Sequence, residues 1–151
     1  MIYTDLQVRE AIEAVVQANA PNAVIYPWWV LGANPGMWAA MLKSPNDGGR
    51  VHGYVFTRVG DVGREVGMRC VEHTWTYDLW GFHHYSTGNK TSNTDLDFIA
   101  ELDAISAAFD AVVALPAQLK RREPLSWTVD LNVYGGELLH FANTNVTLIA
   151  C

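Results

Sequence analysis

Long apolar runs are missing from these 151 residues: no stretch of 18 apolar residues exists, so no membrane span is predicted. Cysteine is nearly absent. Cys70 lies in a strand-like run and Cys151 is the last residue, and nothing in their spacing says that they meet; an intracellular chain with two free thiols is the favoured expectation. Met1-Ile2-Tyr3-Thr4-Asp5 has neither the basic nor the apolar region of a secretion signal, so the sequons at Asn89 and Asn145 carry no weight. Basic charge is scarce, with 10 Lys and Arg against 16 Asp and Glu and a formal net charge of −6. That balance argues against affinity for nucleic acid or anionic lipid, which relies on clustered cations. The one basic cluster, Lys120-Arg121-Arg122, reads as a solvated loop. Catalytic signatures are lacking too: there is no Gly-x-Ser-x-Gly elbow, no His-Glu-x-x-His helix, and no glycine loop ending in Gly-Lys-Ser/Thr.

What is present is apolar mass in strand and helix patterns. Half the residues are hydrophobic and six are Trp, enough for one folded domain over residues 1–151. The run from Met68 to Tyr85 puts Val71, His73, Trp75, Tyr77 and Leu79 on one side, and Glu72, Thr74, Thr76 and Asp78 on the other. Fully extended it would reach about 60 Å, against roughly 40 Å for a globule of this length. It is therefore expected to bend, break or project. Arg50–Val59 has strand character, and Gly60-Asp61-Val62-Gly63 is expected to join it to the long run as a large β-hairpin.

Two helices are legible. Thr4 and Gln7 form a capping box ahead of an apolar face of Val8, Ala11, Ile12, Val15 and Ala18. Ser92, Asn93 and Thr94 offer N-cap oxygens before the stripe Phe98, Leu102, Ile105, Phe109 and Val112, with Asp95, Asp97 and Glu101 near the positive end of the helix dipole. Ala23–Leu31 reads as an edge strand or extended segment because of Pro27, and Trp38–Leu42 as a short helical turn. Pro124–Val133 alternates Leu125, Trp127, Val129, Leu131 and Val133 with polar residues and is expected to be a half-buried strand; Gly135-Gly136 turns it into Leu139–Ala150. The expected fold is α+β in the order α-β-β-α-β-β: an antiparallel sheet with a long projecting β-hairpin, packed against one N-terminal and one long central amphipathic helix.

Candidate chemistry is thin. His52, His73 and His140 fall on three predicted strands and could converge on a metal, whereas adjacent His83 and His84 should face opposite sides of a strand. Glu72 and Asp78 share a parity and offer a carboxylate pair, more simply read as a solvated face. Trp75, Trp80 and Tyr85 could form a stacking platform for glycans, but rings on both parities better suit a core on one side and another subunit on the other. No catalytic, cofactor-binding or metal-binding residue is assigned.

Thr74-Trp75-Thr76-Tyr77-Asp78-Leu79-Trp80, running through a polar loop into Asp97-Phe98-Ile99-Ala100-Glu101-Leu102, and the last strand from Leu138 to Ala150 resemble the tail terminator and tail-completion proteins of long-tailed bacteriophages. The resemblance implies a structural virion protein rather than an enzyme, without cofactors. Such a protein assembles in the host cytoplasm as a homo-hexameric ring that caps the tail tube. The ring touches the tail tube protein and the head connector or neck proteins, and DNA passes through it without specific binding. The acidic balance suits that passage. On this reading the segment around Met68–Tyr85 lies at the subunit interface. The alternative is a small metal-dependent enzyme or ligand-binding α+β domain using His52, His73 and His140.

Overall fold

The computed structural model describes residues 3–67, 70–111 and 115–150, with the backbone alone at 64–67 and 70. Cys151, the side chain of Cys70, and the ends of two expected elements (Met68 and Val112) fall outside the described residues.

Helix α1 (Asp5–Asn19) opens on the expected capping box: Gln7 N–H donates to Thr4 Oγ1, and Thr4 N–H donates to the Gln7 side chain. Its buried face is Val8, Ala11, Ile12, Val15 and Val16, with Val16 in the place expected for Ala18. Strand β1 (Val24–Tyr26), a short 3-10 helix at Pro35–Met37, helix α2 (Trp38–Met41) and strand β2 (Lys43–Ser44) follow. A second 3-10 turn, Pro45–Asp47, ends at Gly48 and Gly49, both at positive φ. The chain then enters the long pair β3 (Arg50–Gly67) and β4 (Cys70–His84). Helix α3 (Thr94–Asp110), capped by Asn93 accepting from Leu96 N–H, leads to β5 (Lys120–Arg121), β6 (Thr128–Tyr134) and β7 (Glu137–Ala150).

The fold is α+β, a seven-strand mixed and mostly antiparallel open sheet in the order β1-β3-β4-β7-β5, with β2 beside β3 and β6 beside β7. Among the described residues only β1 against β3 is parallel. Helices α1 and α3 cover one face, burying Phe98, Leu102, Ile105 and Phe109 against Phe56, Trp75, Tyr77, Leu79, Val146 and Leu148. The segment around α2 covers the opposite face at one end, where Trp38, Leu42, Val55 and Phe82 form a second core. The Tyr77 hydroxyl donates to Asp5 at 2.5 Å and ties α1 to the centre of the sheet.

Three expectations change. Gly60–Gly63 is not a turn. β3 continues through it, because register shifts between Arg58 and Gly60 and between Glu65 and Gly67 absorb extra residues while β4 keeps pairing. The hairpin projects only at its tip. β7 pairs β4 from His73 to His84, so residues 70–72, about 10 Å of strand, extend past the described end of β7. The long ribbon thus solves its length by running through the middle of the sheet. Its rings serve the chain's own cores: Trp75 is 2% exposed, Tyr77, Leu79 and Phe82 are fully buried, and Trp80 packs against Trp29, Trp38 and Phe141. Finally, β6 is not half-buried. Val129, Leu131 and Val133 are 41%, 44% and 59% exposed, because the helices that cover its neighbours do not reach the edge.

Gly81 shows how tightly the helix face is fitted. It sits opposite Tyr54, and a Cβ there would come within 2.6 Å of the Tyr54 ring. Gly81→Ala is expected to cost about 1–3 kcal/mol by overpacking, read as a lower urea midpoint with an unchanged slope.

Candidate functional site

Pairing places His52 of β3 directly opposite His83 of β4, and His83 directly opposite His140 of β7. Residues opposite one another in an antiparallel sheet share a face, so three imidazoles form one row, under the first half of α3. Ring centroids are 4.6 Å apart for His52 and His83 and 6.2 Å for His83 and His140, and Phe98 of α3 lies 5.5 Å from His83 and 5.9 Å from His140. His84 joins the row. Strand pairing ends at this residue, and its ring stacks on His83 at 4.3 Å and 25° instead of pointing away. The rings of His52, His83 and His140 are nearly buried, and His84 is partly exposed.

Carboxylates enter from two directions. Glu101 of α3 accepts from His52 Nε2 at 2.8 Å and from the buried Tyr54 hydroxyl at 2.6 Å. Asp47, in the turn before β3, lies 3.0 Å from His52 Nδ1 through Oδ2 and takes Arg50 at 2.6 Å on Oδ1. The same Oδ2 is 3.5 Å from His84 Nδ1. At the far end of the row, His140 Nε2 is 2.9 Å from the Thr94 hydroxyl.

These environments separate the protonation states. Burial acts to lower the His52 pKa, but the hydrogen bond and charge of Glu101, with the charge of Asp47, outweigh it and hold His52 above its ordinary value. Burial, reinforced by the charges of His52 and His84, pushes His83 down to about 4. His84 and His140 are also lowered, chiefly by burial. Asp47 is held below the usual carboxylate range: burial opposes this, and Arg50 overcomes it. Carboxylates on both ring nitrogens thus favour the charged form of His52, while burial favours the neutral forms of His83, His84 and His140 beside it.

Of the histidines singled out in the sequence, His52 and His140 belong to this group and His73 does not. His73 lies ten positions up β4 from His83, roughly 30 Å away, stacked on Trp75 with Nδ1 3.7 Å from Asp61. His83 and His84, set aside because neighbours on a strand diverge, come together because the strand stops between them and the loop. Glu72 and Asp78 are six positions apart on one strand face, roughly 20 Å, and form no pair with each other. Trp75 and Trp80 lie on opposite faces of the sheet, one in each core, so they share no platform with Tyr85, which borders His140 at 5.5 Å. Lys120 and Arg121 are not a loop but a short strand on β7, and Arg121 pairs with Asp110.

No family model and no curated protein matches this chain. Its chemistry rests on the geometry. One donor atom from each of Asp47, His83 and His84 lies within 4.8 Å of the other two, a mixed nitrogen and oxygen set at the rim of the sheet. A signal in the sequence could have found part of this: Asp47 and His52 flank the start of β3, and a hairpin folds that start back onto the end of β4.

Proposed function

We propose that this chain is a ring-forming structural subunit of a long-tailed bacteriophage, a tail terminator that caps the tail tube at the head–tail junction. The observation that carries the reading is the uncovered apolar row of β6: Val129, Leu131 and Val133, continued by Leu138 on β7. Four large apolar side chains at a sheet edge are wasted in a lone chain and useful between copies. The outer edge of β6 pairs with nothing among the described residues, and at the other side of the sheet β3 beyond Val55 pairs with β4 alone. Unlike patches on opposite sides favour head-to-tail contact, and such contacts close into rings when the rotation between copies permits. The occupant of the β6 surface is accordingly a second copy of this chain, and the ring is a homo-hexamer that meets the tail tube and the head connector with its two ends. The net charge of −6 favours free passage of DNA through the ring, since like charges repel.

This reading moves the subunit contact from the aromatic ribbon, whose rings are occupied inside the chain, to the strand beside β7. Native mass spectrometry is expected to give a discrete oligomer for the parent chain. The double variant L131D/V133D is expected to remain monomeric with an unchanged circular dichroism spectrum, because both side chains are exposed in the single chain. A parent chain that stays monomeric at about 100 times the concentration of a nanomolar-to-micromolar assembly range, and that does not cap isolated tail tubes, sinks the proposal.

A further inference from the structure

A second property is built at the rim of the sheet, and it does not depend on ring assembly. We propose that Asp47, His83 and His84 bind one divalent transition-metal ion of the zinc class. Two imidazoles and a carboxylate suit zinc, nickel, copper or cobalt better than the oxygen-seeking magnesium or calcium. The three donor atoms already lie within 4.8 Å of one another. Two ligands on a tetrahedral ion with bonds of about 2.0–2.1 Å sit roughly 3.3 Å apart. Asp47 Oδ2 and His84 Nδ1 stand at 3.5 Å, close to that separation before any ion arrives.

The surroundings orient the donors as metal sites require. His83 Nδ1 donates to the His84 carbonyl at 2.8 Å, which leaves Nε2 as its lone-pair nitrogen. Asp47 is held by Arg50 on one oxygen and by His52 on the other, and His52 is anchored in turn by Glu101 of α3. Asp47 sits in a turn fixed by Gly48 and Gly49 at positive φ, so the carboxylate is delivered by a set backbone and not by a wandering loop. To bind, His84 gives up the contact of its Nδ1 with the Val51 carbonyl at 3.3 Å, a long hydrogen bond and a small loss. Three protein ligands leave a fourth position for water or for a donor from outside the chain.

Cobalt(II) and zinc titrations of the tag-free full chain test this. Cobalt should develop the visible absorption of a four-coordinate nitrogen and oxygen site, saturate at one ion per chain, and be displaced by zinc. His83 is a core residue, so the variants are Asp47→Asn and His84→Gln, with His73→Gln as the remote control. Each of the first two should weaken binding by at least about tenfold, the lower bound for disturbing even a supporting residue. H73Q should leave it unchanged, and circular dichroism should be the same in all three. Absence of saturable binding by the parent overturns the proposal. So does less than a tenfold loss in either D47N or H84Q, or a loss in H73Q.

Discussion

Glu101→Ala is expected to destabilise the fold by about 3–5 kcal/mol, the cost of removing one partner from a buried charge pair. Glu101 takes hydrogen bonds from both His52 and Tyr54, and it is the contact by which α3 grips the edge of the row. Its loss leaves the Tyr54 hydroxyl buried without an acceptor, and strips His52 of the stronger of its two carboxylates. Glu101→Gln separates the two effects. It keeps an acceptor for Tyr54 and removes only the charge, so its cost should fall to about 1–3 kcal/mol. Urea denaturation of both variants checks this. An E101A chain within about 1 kcal/mol of the parent, an effect small enough for a surface substitution, would mean that the network does not support the fold.

Acidification should destabilise the protein between pH 6.5 and about pH 4, and His83 is the main cause. Its folded pKa is about 4, against 6.5 for an unperturbed imidazole. Between those values the unfolded chain binds a proton that the native one refuses, so stability rises with pH across the window and is lost as pH falls. The separation corresponds to about 3 kcal/mol. His84 and His140, also lowered, act with the same sign. His52 acts with the opposite sign: its raised pKa contributes stability that is full below 6.5 and disappears as pH climbs through the folded value. The histidine contributions together therefore peak near 6.5, the ordinary imidazole value, where the gain from His83 is complete and the loss from His52 begins. In His83→Phe, which keeps a ring against Phe98, the slope between pH 4 and 6.5 should flatten. If it stays as steep as in the parent, His83 is not the group responsible.

Much of the architecture was legible because helices and strands announce themselves locally. The capping box at Thr4 and Gln7, the Phe98–Phe109 stripe and the parity of Trp75, Tyr77 and Leu79 each depend on residues a few positions apart; the cap forms, and the stripe and the three strand residues are buried as their periodicity assigns. Parity does not say whether anything lies above a face, however. Val129, Leu131 and Val133 alternate as cleanly as any strand in the chain. They are exposed because α3 covers β4 and β7 and stops short of the edge.

The candidate site depended still more on long-range geometry. His52, His83 and His140 are single residues on separate strands, and nothing near any of them marks it as one of a set. Gly67 pairs with Cys70 at the tip, and an unbroken ladder from there would set His52 opposite Tyr85. Two register shifts in β3 slide the pairing by two residues and bring His83 there instead. By itself the sequence determined the α+β class, the two helices, the strand faces and the acidic charge, since periodicity, caps and composition act over short distances. Tertiary structure alone decided which histidines meet, which rings are buried and which apolar strand is left bare, because bulges and helix coverage are settled between segments far apart in the chain.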